Sequence, residues 1–357
     1  MVTVAGGVGA KGRAHRAILP NRIDNPFRLP FNRIGNPFSP GELMEHAADW
    51  SLADLTDQAG RTFVVTGASS GLGAAITRHL AAHGARVIMA VRNTAKAGQV
   101  RDQLIADHPA ADLQIRHLDL LDLDTVHAFA AGLRTDAVPV DALINNGGIG
   151  NVPRRLSPQG VESQLATNHL GHFTLTALLL DRLSAGRNPV VVTVGSGLYR
   201  IGHLDLDDLA ADRGYSPGRA YARSKLANVL FALELDRRLR DAGSPVRSLL
   251  AHPGMTRTQL DRDAPPLDRA VGAVLGIFLR RPIDEAVAPI LYAATETAAP
   301  TGRHIGPGRP FGPARPTFEK LSGSATDLAL ARELWARSAA ITGIDFAPTM
   351  TGRPPGS

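Results

Sequence analysis

What most constrains this chain is a regular alternation of short apolar runs with helix-length stretches. The apolar runs occupy residues 63–65, 87–91, 113–118, 142–144, 190–194 and 246–250, and most are built from consecutive Val, Ile and Leu. Such runs suit strands buried on both faces, because a strand with one wet face alternates apolar and polar residues. Between them lie stretches of helical character at 74–83, 123–133, 161–183 and 220–241. Parallel neighbours in a sheet need a crossover connection, and a helix after each strand supplies it. The expected fold is therefore α/β: one doubly wound, mostly parallel sheet of six strands, or seven with a strand near 303–305, covered by helices on both faces. Hydrophobic residues make up 44% of the 357 positions, enough to fill one large core.

The first run leads directly into Thr66-Gly67-Ala68-Ser69-Ser70-Gly71-Leu72-Gly73 and then an alanine-rich helix. Glycines there let the chain turn tightly and let the backbone approach a pyrophosphate resting on a helix N-terminus. In that setting the turn predicts a Rossmann-type dinucleotide site built from Gly67, Ser69, Ser70, Gly71, Leu72 and Gly73. The second run ends at Arg92-Asn93, where a site for NAD places a carboxylate on the ribose 2′-hydroxyl. A guanidinium fork suits a 2′-phosphate instead, so NADP(H) is the expected cofactor and NAD(H) the second choice. After the third run, Asp119-Leu120 falls where adenine would lie, and Asp119 can accept from the adenine amino group. It could equally cap the following helix, a task for which Asp122 or Asp124 is better placed. After the fourth run, Asn145-Asn146-Gly147-Gly148 is a turn of short side chains where Asn146 and Gly147 let a cofactor pass close to the backbone.

Tyr221 and Lys225 stand four residues apart in Tyr221-Ala222-Arg223-Ser224-Lys225, hence on one face of a helix. A phenol with the usual pKa of about 10 is a poor base near neutrality, and a cation one turn away favours the phenolate. Ser196 follows the fifth run, at the carboxyl edge of the sheet where doubly wound folds bind ligands. Its hydroxyl can polarise a carbonyl, or it can cap a turn. Asn168, in the helix after the fourth run, can hold a water in a proton path if a local kink frees its amide; otherwise it is a buried hydrogen-bonded amide.

Taken in order, these motifs resemble the short-chain dehydrogenase/reductase family, from about Trp50 to Phe346. Asn168-His169-Leu170-Gly171-His172-Phe173, Tyr221 to Phe231, His203-Leu204-Asp205-Leu206-Asp207-Asp208 and the Leu334-Trp335 tail are similar to its retinol-dehydrogenase-like branch. The resemblance implies an oxidoreductase that moves a hydride between NADP(H) and a hydrophobic alcohol or carbonyl compound. In it Tyr221 would be the general acid/base, and Lys225 would bind the nicotinamide ribose and lower the tyrosine pKa. Ser196 would orient the carbonyl and Asn168 would hold a relay water. It also implies cofactor contacts at Pro253 and Gly254 after the sixth run, and at Thr256 and Thr258 beyond. Two positions depart from the family pattern: Gly147 stands in place of an alanine and Gly195 in place of a serine, replacements expected to loosen the substrate floor. A non-catalytic NADP(H) sensor of the same fold is the rival, although such a protein is expected to lack the tyrosine, lysine or serine. The Thr-Gly-x-x-x-Gly-x-Gly spacing argues against an extended-branch isomerase or epimerase, and the lack of cysteine against a protochlorophyllide reductase.

Residues 1–43 differ from the rest. They carry Lys11, Arg13, Arg16, Arg22, Arg28 and Arg33 against Asp24 and Glu42, so most of the net charge of +6 sits there. With the remainder nearly neutral, no nucleic-acid-binding face is expected. Prolines at 20, 26, 30, 37 and 40 forbid a long helix, so this segment reads as a disordered extension, with Met44 as an alternative start. The catalytic domain is expected over 44–346, with a flexible tail at 347–357. No stretch nears the roughly 20 apolar residues of a membrane span. The longest candidate, 270–279, fits better in a lid spanning 255–282, where Val271, Val274, Leu275, Ile277, Phe278 and Leu279 suggest an apolar ligand. A chain with no cysteine fits a reducing compartment, so a cytoplasmic location is expected. The resemblance leaves a homodimer or a monomer open: helix-mediated dimers are common in the family, and the branch resembled also contains monomers.

Overall fold

The computed structural model of the chain describes residues 47–254, 282–308 and 314–344, all within one compact unit. The basic extension, the C-terminal tail, Thr256, Thr258 and the apolar lid segment at 255–281 lie outside the described residues. The elements are β1 (Thr62–Thr66), α1 (Gly71–Ala82), β2 (Arg86–Val91), α2 (Thr94–Asp107), β3 (Asp112–His117), α3 (Leu123–Thr135) and β4 (Ala142–Asn145). Then come α4 (Ser163–Leu165), a π-helical turn (Ala166–Leu170), α5 (Gly171–Leu178), α6 (Leu180–Ser184), β5 (Val190–Val194), α7 (Pro217–Asp241) and β6 (Arg247–Ala251). Beyond residue 281 follow α8 (Ile283–Ala286), α9 (Ala288–Thr295), β7 (His304–Gly306), β8 (Thr317–Glu319) and α10 (Leu328–Thr342).

The sheet runs β3-β2-β1-β4-β5-β6-β7-β8. Its first seven strands pair in parallel and β8 lies antiparallel on β7. The expected α/β sheet and its seventh strand are present; the eighth, a three-residue edge strand, was not expected. Strand order reverses between β1 and β4, which opens a crevice at the carboxyl ends of the strands.

Each central strand feeds two cores in strict alternation. Phe63, Val65, Val87, Met89, Ile144 and Val192 face one layer with Ile76, Leu80 and Tyr292. Val64, Ile88, Leu143 and Val191 face the other, with Phe129, Leu133, Phe173 and Phe231. Both faces are therefore dry, which is why the strands read as unbroken apolar runs. On the second face Trp335 stacks on Phe231 at 5.9 Å and meets Phe173 edge-on at 5.1 Å, docking α10 onto α5 and α7.

One long element differs from expectation. The stretch 161–183 is not a continuous helix: Glu162 caps it, its carboxylate accepting from the amides of Gln164 and Leu165. It then passes through the π turn and breaks again at Leu179 (φ −100°, ψ 3°). By contrast α7 runs unbroken for 25 residues, opening with Pro217 in its first turn, where the missing N–H costs nothing.

Candidate active site

The phosphate turn forms at the end of β1. Gly67 has φ +69°, a left-handed conformation that favours glycine. A Cβ on Gly73 would collide with the Gly67 carbonyl, so α1 can begin this close to β1 only without a side chain there. Ser70 occupies the N-cap of α1 without making a side-chain capping bond. The turn therefore presents unfilled helix N–H groups and a cradle that side chains would fill, which fits a pyrophosphate.

Thr66 ties this turn to the one after β4. Its Oγ1 accepts from the amides of Asn146 at 2.9 Å and Gly147 at 2.7 Å. His172 Nδ1 faces the Asn168 carbonyl at 3.0 Å and so carries the ring proton, leaving Nε2 to accept the Thr66 hydroxyl at 2.9 Å. Burial, only partly offset by the Asn168 carbonyl, lowers the His172 pKa to about 4, which keeps that ring neutral. Thr66 and His172 stand in the sequence motifs but carry no expected role. The i, i+4 spacing of Asn168 and His172 was the available signal.

Gly147 and Gly195 do not loosen the site. A Cβ at Gly147 would lie 2.9 Å from Leu120 Cδ1, and one at Gly195 would lie 3.2 Å from Leu250 Cδ1. Neighbouring side chains have closed in on both. Asp119 is half-buried and its Oδ1 accepts from the Leu121 amide at 3.0 Å. The cap of α3 is Asp122, whose carboxylate accepts from Asp124 N. Arg92 is exposed at the tip of β2 and has no acidic partner among the described residues, while Asn93 caps α2.

Lys225, Tyr221 and Ser196 are linked around the end of β5. Lys225 is buried on α7, and its Nζ donates to Val194 O at 3.0 Å, two residues before Ser196. The same Nζ lies 5.6 Å from the centre of the Tyr221 ring. Burial pulls the Lys225 pKa down to about 8. Ser196 caps a 3-10 turn over Gly197–Ile201, its Oγ accepting from Leu198 N at 3.3 Å. That turn ends at Gly202, where a Cβ would lie 2.5 Å from Ala222 O, so glycine lets the serine segment close onto α7 beside Tyr221. Between Tyr221 and Lys225, Arg223 meets the fully buried Glu162 at 3.5 Å and ties α7 to α4.

Asn168 sits in a local kink, the π turn, but its side-chain amide is engaged. Oδ1 accepts from Ile149 N at 2.8 Å, and Nδ2 donates to Ile149 O at 2.8 Å and to Ser224 Oγ at 2.9 Å. At the end of β6, Pro253 and Gly254 follow His252, and Gly254 has φ +74°.

Residues 61–267 match the family described as short chain dehydrogenase. Mouse (Mus musculus) retinol dehydrogenase 14 is 38% identical over 299 residues, covering 80% of this chain and 86% of its own. Mouse polyprenol dehydrogenase is 37% identical over 295 residues, covering 81% and 86%. A crystal structure of an uncharacterized protein from Mycobacterium paratuberculosis superposes with a TM-score of 0.70 at 43% identity, covering 84% of this chain and 99% of that one. Among the described residues no helix is long and apolar enough to cross a membrane. A lysine that links the tyrosine helix to the strand leading into Ser196 agrees with these likenesses: the chain belongs to the short chain dehydrogenase family, in its retinol-dehydrogenase-like branch, and is an enzyme of alcohol and carbonyl groups.

Proposed function

We propose that this enzyme transfers a hydride between NADP(H) and the carbonyl or hydroxyl carbon of a hydrophobic small molecule, with Tyr221 as general acid/base. The observation that carries the reading is the placement of Lys225 Nζ, bonded to Val194 O two residues before Ser196 and 5.6 Å from the Tyr221 ring. One buried cation thereby joins the serine strand to the tyrosine helix.

The nicotinamide, when bound, gives or takes the hydride. In the reducing direction Tyr221 gives its phenolic proton to the substrate oxygen as the carbonyl carbon receives the hydride; oxidation runs the same steps backwards. The Lys225 ammonium favours the phenolate left on Tyr221 and would hold the nicotinamide ribose. Ser196 spends a lone pair on Leu198 N, which leaves its O–H to donate to the substrate oxygen. Asn168 fixes the Gly148-Ile149 segment and Ser224, and a relay water would have to use the second lone pair of its Oδ1.

Gly67 to Gly73, Asn146, Gly147, Pro253, Gly254, Thr256 and Thr258 would hold the cofactor. Asp119 and Leu120 would flank the adenine, and Arg92, exposed and without an acidic partner among the described residues, suits a 2′-phosphate.

An apolar substrate is supported by the rim of the site. Leu198 and Ile201, 46% and 74% exposed, are large hydrophobic side chains on the very turn that Ser196 opens. The names of the relatives point the same way, since retinol and polyprenols are apolar alcohols. NADPH consumption with a series of straight-chain aldehydes tests the proposal. Each added methylene should raise kcat/KM by up to about fourfold while the rim can cover it. Tight NADPH binding with no turnover of any carbonyl compound would refute it.

A further inference from the structure

The carboxyl edges of β6 and β7 hold a cluster of titratable side chains that the reaction above does not use. Glu319, on edge strand β8, lies opposite His304 in the antiparallel register. Its Oε1 accepts from His252 Nε2 at 2.9 Å and its Oε2 accepts from Arg200 Nη2 at 3.1 Å. Burial works against its charge, yet the bonds from His252 and Arg200 win and hold its pKa down at about 2. The buried His304 ring stacks on His252 at 4.5 Å. Its own pKa is lowered to about 3 by burial, so it adds no charge near neutrality.

Both ends of this bridge lead into the active site. Arg200 belongs to the turn that Ser196 opens. His252 precedes Pro253-Gly254, and its Nδ1 accepts the N–H of Gly254, which is itself held at φ +74°, at 3.2 Å. The bridge also depends on Gly306, where a Cβ would collide with Glu319 Oε1 and sit 2.5 Å from His252 Nε2.

The proton inventory assigns the chemistry. His252, His304 and Glu319 offer ligand atoms within 4.8 Å of one another, the spacing of a cation site. However, a Nδ1 that accepts from Gly254 is bare, so the single proton of a neutral His252 ring lies on Nε2 and points at Glu319. A cation on Nε2 would drive that proton onto Nδ1, directly against the Gly254 N–H. Arg200 already takes the other carboxylate oxygen. The hydrogen bonds thus describe a clamp rather than a metal centre.

We propose that Glu319 is a positioning residue that couples the two halves of the site, holding the Ser196 turn through Arg200 and the Pro253-Gly254 turn through His252. The inference rests on the NADP(H) reading above. A carboxylate is required because it accepts at both oxygens. An amide has one acceptor and one donor, and its NH2 would face either the His252 N–H or the Arg200 guanidinium.

The test measures NADPH Kd by calorimetry, and kcat at saturating NADPH, for Glu319→Gln, Arg200→Met, His252→Asn and the His252→Asn/Glu319→Gln pair. Glu319→Gln should weaken NADPH by at least ~fivefold, the loss of a charge-assisted hydrogen bond, and lower kcat by at least ~tenfold through misplacement of Ser196. Arg200→Met should lower kcat and leave Kd within ~twofold, since only the serine arm is cut. In His252→Asn the shorter amide can still accept from Gly254 through its oxygen but cannot reach Glu319. Adding Glu319→Gln to His252→Asn should therefore leave Kd unchanged, whereas a merely structural edge would give additive losses. Wild-type Kd and kcat in Glu319→Gln, additive losses in the pair, or an equivalent of zinc in the purified protein that Glu319→Gln abolishes would each overturn the inference. If the wild-type protein binds neither NADPH nor NADH, the proposed function falls, and this inference with it; if it binds NADPH and the variants do not differ, this inference alone falls.

Discussion

Lys225→Met should make the nucleotide-free protein more stable at neutral pH while abolishing its activity. Burial pulls the Lys225 pKa from 10.5 to about 8, so the fold disfavours the ammonium that the chemistry needs. A shift of that size corresponds to about 3 kcal/mol at pH values below both figures. Methionine is close to lysine in length and carries no charge, but it forfeits the 3.0 Å bond to Val194 O, a loss of about 1 kcal/mol. The net gain is about 2 kcal/mol at pH 7. The pH dependence has a definite sign. Between the folded pKa near 8 and the unfolded value of 10.5 the unfolded chain binds more protons, so wild-type stability rises with pH by about 1.4 kcal/mol per unit. Methionine has nothing to titrate, so its advantage shrinks over that window and turns into a deficit by about pH 10. Urea unfolding of both proteins without nucleotide at pH 7, 8, 9 and 10 measures this. A methionine variant less stable than wild type at pH 7, by an amount that does not change with pH, would show that the ammonium is fully compensated in the fold and would refute the reasoning.

Tyr221→Phe should bind NADPH nearly as wild type does and turn over at least ~10²-fold more slowly, the scale of a lost general acid/base; an unchanged rate removes Tyr221 from the mechanism. Arg92→Asp should shift the ratio of kcat/KM for NADPH over NADH by at least ~tenfold towards NADH, and an unchanged ratio would move the 2′-phosphate contact elsewhere. Ser196→Ala should lower kcat by ~10²-fold or more, as removal of an oxyanion donor does. Ser224→Ala should act mainly on stability, costing about 1–3 kcal/mol by stranding one of the two N–H groups of Asn168 Nδ2, the other staying on Ile149 O; a greater loss of kcat in Ser224→Ala than in Ser196→Ala would contradict the assignment.

The parts of the fold that could be read from the sequence are those where one local pattern suffices. β1, β2, β4, β5 and β6 are covered on both faces, so their composition alone declares them. Tyr221, Lys225 and Ser196 follow from helix periodicity and from the end of one strand. β8 is different, because Thr317, Phe318 and Glu319 are all half-buried and carry no alternation. It exists only because β7 offers a free edge. The kink at Ala166–Leu170 is likewise absent from local sequence: nothing there breaks a helix, and the bonds that accompany the π turn reach Ile149 and Ser224. The clamp through Glu319 joins residues 200, 252 and 319, and its register is set by strand pairing rather than spacing. Whatever depends on contacts between distant segments was invisible for that reason.

Three hydroxyls near the site show how proton counting separates scaffold from chemistry. The Thr66 hydroxyl accepts from two backbone amides, and its proton goes to His172 Nε2 at 2.9 Å in preference to Ile144 O at 3.3 Å. It has nothing left to offer a ligand. Ser224 gives its proton to Tyr221 O at 2.7 Å and accepts from Asn168 Nδ2. It retains a lone pair but no donor, so it cannot polarise a carbonyl. Among the described residues Ser196 only accepts, from Leu198 N, and it is half-buried rather than sealed. Capping and catalysis are therefore compatible in one serine, because the cap uses a lone pair and the carbonyl needs the proton. Ser196 is thus both the residue that shapes its turn and, of these three, the one with a proton to lend.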